Sequence, residues 1–220
     1  MIQRKLEPEV MDEKANAEAY AKADFSEVNQ RFVDGFLAAF PQCRSSRVLD
    51  LGCGPADIPI RLAQTARQIT IVAVDASEPM LEWGRDAVQE AGLEPRVSLL
   101  LAKLPDFPSL PPFDAVISNS LLHHLPDPGV LWDCLRSTGK PGAAIYIMDL
   151  FRPVSEERAR QIVEANSSDE DPILKQDFFN SLLAAFTPDE VRAQLAAAGL
   201  SRLKLELPSD RHWLVTGRLP

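Results

Sequence analysis

Residues 47–54, which read Arg-Val-Leu-Asp-Leu-Gly-Cys-Gly, decide the fold of this chain. Apolar residues on both sides of Asp50 predict a short buried strand, and Gly52 and Gly54 predict a tight turn whose backbone approaches another group closely. A helical pattern follows over residues 57–66. A strand, a glycine turn and a helix N-terminus in this order are typical of the nucleotide-binding corner of an open α/β sheet.

The turn departs from the fingerprint of dinucleotide-binding proteins. That fingerprint is G-x-G-x-x-G, and Asp57 occupies its third glycine position here. A carboxylate at this position would repel a pyrophosphate, and Asp50 just before the turn favours a cationic ligand. We therefore expect a nucleoside ligand without phosphates, and an NAD-type oxidoreductase is the weaker alternative.

Three motifs together resemble the class I S-adenosylmethionine-dependent methyltransferases. They are Asp50-Leu-Gly-Cys-Gly54, the acid Asp75 at the end of the next apolar stretch, and Ile117-Ser-Asn-Ser-Leu-Leu-His-His-Leu125. The resemblance covers most of the chain. It implies an α/β fold, a Rossmann-like doubly wound sheet of seven mainly parallel strands with the last strand antiparallel. It also implies S-adenosyl-L-methionine as the cofactor and in-line transfer of its methyl group to a small-molecule acceptor.

Length and composition predict one domain over residues 1–220, and the resemblance implies that it is a methyltransferase domain. The net charge of −9, from 23 basic and 32 acidic residues, disfavours nucleic acid as a partner. No apolar run reaches the roughly 18 residues of a membrane span, and the first residues lack the apolar core of a secretory signal. Three cysteines without C-x-x-C spacing predict neither a disulfide framework nor a zinc site. We expect a cytoplasmic protein and leave homodimerisation open.

Alternating strand and helix patterns in the middle of the chain predict parallel βαβ units. Two helical regions are expected to cover the carboxyl edge of the sheet, where ligands bind in open α/β folds. They are an N-terminal cover, residues 1–40 with helices at 13–22 and 26–40, and an insertion, residues 151–186 with helices at 155–166 and 172–186. A turn is predicted at 139–142, and the last strands are predicted at 203–207 and 212–217.

The resemblance places the cofactor against the glycine turn. The carboxylate of Asp75 offers two acceptor oxygens, which suits the vicinal diol of a ribose. Asp50 is expected near the ammonium group, directly or through water, and Asn119 near the sulfonium. Lys103 stands where family members often carry an acid for the adenine amino group, so backbone groups are expected to hold the adenine here. The expected cofactor residues are Tyr20, Asp50, Gly52, Cys53, Gly54, Asp75, Ala76, Met80, Lys103, Leu104 and Asn119.

Two of the three histidines in the chain are adjacent, His123 and His124, beyond the fourth predicted strand. A neutral imidazole is suited to general-base catalysis near pH 7, so these two are the candidate catalytic residues. A structural or cofactor-side role for at least one of them is the alternative, because the resemblance implies that Leu-His-His-Leu occurs in members with unlike substrates. Alignment of the acceptor alone supplies about 7–11 kcal/mol, so a base is needed only for an undissociated hydroxyl or amine. No metal is expected, since neighbouring histidines usually point apart and the sequence shows no third ligand.

The sequence identifies neither the methyl acceptor nor the atom that is methylated (O, N, S or C). Quinone-like and lipid-headgroup acceptors are among the candidates. The segments after the fifth strand and before the last one suggest substrate contacts, and an arginine there suggests a carboxylate or phosphate. Phe178 is expected in the core. A non-catalytic S-adenosylmethionine-binding regulator fits the same motifs equally well. The candidate substrate residues are Asp149, Arg152, Asn180 and His212.

Overall fold

The computed structural model describes residues 2–7, 17–18, 20–21, 23–106, 108–168 and 170–220. Its strands are β1 (Arg47–Leu51), β2 (Thr70–Asp75), β3 (Val97–Leu101), β4 (Phe113–Asn119), β5 (Gly139–Leu150), β6 (Lys204–Glu206) and β7 (His212–Arg218). They form one seven-stranded sheet in the order β3-β2-β1-β4-β5-β7-β6. Strands β1 to β5 pair in parallel, whereas β7 runs antiparallel to both β5 and β6. The expected Rossmann-like sheet is thus confirmed.

Helices cover both faces of this sheet. Phe36 packs with Val48 of β1 in one apolar core, and Trp132 and Val191 pack with Leu49 of β1 in the other. Val48 and Leu49 lie in different cores because successive strand residues point to opposite faces. Both are fully buried, as in parallel sheets covered on two sides. The described α-helices are α1 (Ser26–Ala39), α2 (Asp57–Thr65), α3 (Glu78–Glu90), α4 (Gly129–Thr138), α5 (Glu156–Ser167), α6 (Pro172–Ala184) and α7 (Pro188–Ala197).

Local capping sets where the helices near the sheet edge begin. The hydroxyl of Ser77 accepts a hydrogen bond from the backbone N–H of Met80 (3.3 Å), which starts α3 two residues after β2 ends. At α7, Thr187 and Glu190 form the reciprocal capping box that the sequence predicts. Caps of this kind stabilise a helix by about 1 kcal/mol.

Helices α5 and α6 pack on each other beyond the end of β5, where they form a third apolar cluster with Leu150. Residues 2–7 run across this cluster. Ile2 packs against it, and the backbone N–H of Lys5 donates to the carbonyl of Leu183 (3.1 Å). The insertion and the start of the chain therefore meet beside the carboxyl ends of the strands.

Residues 139–142, predicted as a turn, belong to β5, because Gly139 already pairs with Phe113 of β4. The helix predicted at 13–22 falls mostly outside the described residues. Among the described helices, none combines the length and the apolar character that a membrane span requires.

Candidate functional site

A cavity of about 450 Å³ lies at the carboxyl ends of β1, β2 and β4. Its wall includes the glycine turn after β1, residues at and just after the ends of β2 and β4, and one side of α6. Apolar side chains on this wall include Ile58, Leu174 and Phe178. The location is the one at which open α/β sheets bind ligands.

The glycine turn approaches its neighbours so closely that a side chain would not fit at Gly52. That residue has a φ of +74°, and a Cβ there would lie 2.9 Å from Cδ1 of Leu121. Its N–H donates to the carbonyl of Val74 at the end of β2 (2.8 Å). Gly54, with a φ of +53°, likewise adopts a conformation that residues with a Cβ rarely adopt. The turn therefore presents bare backbone to the cavity.

Asp75 is fixed by backbone donors on both sides of its carboxylate. Oδ2 accepts from the N–H of Gly54 (2.7 Å), and Oδ1 accepts from the N–H of Ser77 (2.9 Å). Asp75 also lines the cavity. Because each carboxylate oxygen can accept more than one hydrogen bond, this orientation suits a vicinal diol in the cavity.

Two polar atoms near the turn are buried and have no hydrogen-bond partner among the described residues, Oδ2 of Asp50 and Oδ1 of Asn119. Burial, together with the charge of Asp75, raises the pKa of Asp50 to about 8. A nearby cation would favour the ionised form of this carboxyl group. Asn119 lines the cavity, whereas Asp50 is not among its described lining residues. Asp50 therefore lies behind the wall of the cavity.

The other expected cofactor residues all lie on the cavity wall. Tyr20 lies over the turn, since its Cε1 would be 3.9 Å from a Cβ at Gly54, and its ring packs against Phe25 (4.7 Å between centroids). Burial raises the pKa of the Cys53 thiol well above its usual value, so this group stays neutral. The remaining expected residues on the wall are Ala76, Met80, Lys103 and Leu104.

His123 forms a buried pair with Asp149. Oδ1 of Asp149 lies 2.5 Å from Nδ1 of His123, and its Oδ2 accepts from the backbone N–H of His123 (3.0 Å). Burial lowers the pKa of His123, but the charge of Asp149 and its hydrogen bond outweigh burial, so the net pKa is raised. Burial raises the pKa of Asp149, and the charge of His123 outweighs it, so that pKa is lowered. The pair therefore favours an imidazolium next to a carboxylate.

Glu7 reaches this pair from the start of the chain. Its Oε1 lies 3.3 Å from Nε2 of His123 and 3.3 Å from Nδ1 of His124, and the hydroxyl of Ser181 donates to it (3.2 Å). Burial raises the pKa of Glu7 to about 7, against the opposing charge of His123. The sequence gives no signal for Glu7, because residues 2–7 carry no motif and their neighbours are distant in the chain.

Two arginines hold the N-terminal segment in this place. Nη2 of Arg4 donates to the carbonyls of His123 (2.9 Å) and Leu125 (3.0 Å). Arg152 donates from Nε to the carbonyl of Ile2 (3.1 Å) and from Nη2 to Glu190 (2.7 Å). Because Arg152 is buried and its donors are directed at protein acceptors, the expectation that it faces an acceptor carboxylate is wrong.

The other expected substrate residues are separated by the structure. Asp149 is 1% exposed and lies behind His123, so it is a partner of the ring and not a substrate contact. Asn180 bonds to Gln176 on the same helix (2.9 Å) and is not among the described lining residues. His212 does line the cavity, and burial lowers its pKa to about 4.

Several residues of the cavity wall had no indication in the sequence, or a wrong one. Phe178, expected in the core, lines the cavity. Arg61 also lines it and donates to Asp57 (2.6 Å), so the guanidinium of Arg61 compensates the charge of that carboxylate. The i, i+4 spacing of these two residues on a predicted helix was the available signal. The other cavity residues that the sequence did not indicate are Asn29, Asn166, Glu170 and Asp177.

Comparison with known proteins relates this chain to methyltransferases. Residues 48–142, somewhat less than half of the chain, match the family model described as a methyltransferase domain. The 27-O-demethylrifamycin SV methyltransferase of Amycolatopsis mediterranei is 28% identical over 81% of this chain and 62% of its own length. This chain spans less than two thirds of the length of the curated relatives that it matches.

Solved structures show the same fold at low sequence identity. A SAM-dependent methyltransferase from Aquifex aeolicus superposes with a TM-score of 0.70 at 19% identity, over 94% of this chain and 99% of that one. The [4+2]-cyclase SpnF superposes with a TM-score of 0.71 at 15% identity, over 100% of this chain and 99% of that one. The fold by itself therefore does not define the reaction.

Proposed function

Because the chain belongs to the class I S-adenosylmethionine-dependent methyltransferases, we propose that it transfers a methyl group from S-adenosyl-L-methionine to a small-molecule acceptor. One observation carries this proposal: the cavity that Asp75 and Asn119 line is also lined by His123 and His124. A single cavity thus offers groups suited to a nucleoside and groups suited to activating an acceptor.

The cavity residues fit this cofactor. Asp75 would accept hydrogen bonds from the ribose hydroxyls, and the glycine turn leaves room for close approach of the ligand to the backbone. Met80 would pack against the adenine, and the unpartnered oxygen of Asn119 would face the sulfonium side. The cofactor supplies the chemistry, an electrophilic methyl group on a good leaving group. The protein supplies binding and alignment.

His123 is the proposed residue for activating the acceptor. Asp149 holds Nδ1 of the ring, so Nε2, which also faces Glu7, would accept a proton of the acceptor when the imidazole is neutral. The carboxylate also stabilises the imidazolium that forms when the proton is taken up. Asp149 is therefore proposed as a positioning residue.

Methyl transfer from labelled S-adenosylmethionine into a fraction of small metabolites tests the proposal. We expect labelled product in the metabolite fraction, and S-adenosylhomocysteine should raise the melting temperature of the protein. Stabilisation by NAD instead of S-adenosylhomocysteine would favour the oxidoreductase alternative. Binding of S-adenosylhomocysteine without turnover on any acceptor would favour the non-catalytic regulator.

A further inference from the structure

Three potential metal ligands from distant parts of the chain converge beside the cavity, and two of them line it. They are Glu7 from the N-terminal segment and His123 and His124 from the turn after β4. One ligand atom of each lies within 4.8 Å of the others. The two imidazole rings lie 4.2 Å apart with planes tilted by 35°, so both present a nitrogen to the same carboxylate.

The two distances from Glu7 to the histidine nitrogens match coordination better than direct hydrogen bonding. Oε1 of Glu7 lies 3.3 Å from Nε2 of His123 and 3.3 Å from Nδ1 of His124. Two ligand atoms at about 2.0–2.1 Å from one tetrahedral ion lie about 3.3 Å from each other. An N–H···O hydrogen bond is usually about 2.9–3.0 Å long. We propose that Glu7, His123 and His124 bind one divalent transition-metal ion.

The groups behind the three ligands support this arrangement. A metal-binding histidine commonly donates its other ring N–H to a carboxylate, which fixes the tautomer. Asp149 occupies that position, with its Oδ1 2.5 Å from Nδ1 of His123. Glu7 is in turn held by the hydroxyl of Ser181 (3.2 Å). Nε2 of His123 is thereby oriented toward the proposed ion.

The ligand types restrict the identity of the ion. Two imidazoles and one carboxylate suit Zn²⁺, Fe²⁺ and Co²⁺, whereas Mg²⁺ and Ca²⁺ prefer ligand sets made of oxygen. His123 and His124 both line the cavity, so the remaining coordination positions would face the acceptor side. There an ion would bind an oxygen of the acceptor and lower its pKa. The ion, and not the ring of His123, would then activate the acceptor.

Metal content of the full chain tests the proposal without any need for turnover. Protein without an affinity tag is stripped with a chelator, reloaded with Zn²⁺ or Co²⁺ and passed through a desalting column. We expect about one ion per chain by elemental analysis, together with visible absorption bands from the Co²⁺ form. Glu7→Gln and His124→Gln should each weaken binding at least about tenfold.

Matched controls are His212→Gln and Glu170→Gln, the same substitutions at cavity residues outside the cluster, and they should keep the ion. Circular dichroism identifies any variant that has lost its fold. Absence of bound Zn²⁺ and Co²⁺ in the folded protein would overturn the proposal and leave a proton-bridged cluster. Equal loss of metal in the control variants would also overturn it. Either result leaves the proposed methyl transfer intact, because binding is measured without cofactor or acceptor.

Discussion

Oδ1 of Asp149, at the end of β5, lies 2.5 Å from Nδ1 of His123, in the turn after β4. The carboxylate is 1% exposed and the imidazole 3% exposed, so neither group is screened by much solvent. β4 and β5 are parallel neighbours, and their carboxyl ends therefore meet at one edge of the sheet. This pairing orients Nε2 of His123 toward Glu7.

Replacement of His123 should affect turnover more than cofactor binding. Once an acceptor is found, His123→Gln should lower kcat by about 10²–10⁴ while affinity for S-adenosylhomocysteine stays near that of the parent. Asp149→Asn should also lower kcat, because the ring of His123 then loses its carboxylate partner. The comparison is made on chelator-treated and on zinc-loaded protein. An equal loss of cofactor affinity would contradict the assignment.

Asp75 should contribute to cofactor binding through charged hydrogen bonds. Asp75→Asn is expected to weaken affinity for S-adenosylhomocysteine by about 1.5–3 kcal/mol, measured by titration calorimetry. Asp86→Asn, at an exposed position on α3, is the matched control and should bind as the parent does. Equal affinities in the two variants would rule out the ribose contact.

At Gly52, the free-energy cost of the close contact can be measured separately from the cost of the backbone conformation. Gly92→Ala places a side chain at a φ of +65° in open space, and it should cost about 1–2 kcal/mol of folding free energy. Gly52→Ala has a similar φ of +74° and adds the contact with Leu121, so its cost should be larger. Urea denaturation measures both. A cost at Gly52 no greater than that at Gly92 would show that Leu121 moves aside freely.

Arg152 should stabilise the fold and not the acceptor complex. Arg152→Gln removes buried charged hydrogen bonds to Ile2, Ala185 and Glu190, and should cost about 2–3 kcal/mol. The control Arg192→Gln removes an exposed pair with Asp189 and should leave stability nearly unchanged. If Arg152→Gln instead raised KM and left the melting temperature unchanged, Arg152 would be a substrate-binding residue.

The ion pair of Glu190 predicts a pH dependence of stability. Burial raises the pKa of Glu190, but Arg152 and the backbone N–H of Thr187 outweigh it, so the net pKa is lowered. The resulting stability is fully present above the unfolded pKa of about 4.5 and is lost as pH falls through the folded pKa. Glu190→Gln should therefore lose less stability than the parent between pH 6 and pH 3. Parallel stability curves for the two proteins would contradict this.

Much of the fold and of the cofactor side could be predicted because those signals are local. The apolar residues around Asp50 indicated a buried strand, the glycines indicated the turn, and Asp75 indicated the end of β2. Strand ends in a parallel sheet meet at one edge, so local order was enough to bring these groups together. The resemblance to the family pointed to Asn119, which ends β4 and lies on the cavity wall.

The sequence by itself determined the class of sheet and the corner proposed for the cofactor, because periodicity and turn chemistry act over a few residues. Only the tertiary structure decided which groups surround the region proposed for the acceptor. Glu7 meets Ser181 across 174 positions, and Arg152 turns away from the cavity to bond Ile2 across 150. Such contacts depend on how distant segments pack, and an isolated Glu7 or Arg152 carries no pattern that reveals its partner. The direction of a polar side chain at a strand end is fixed by the groups that satisfy it when buried.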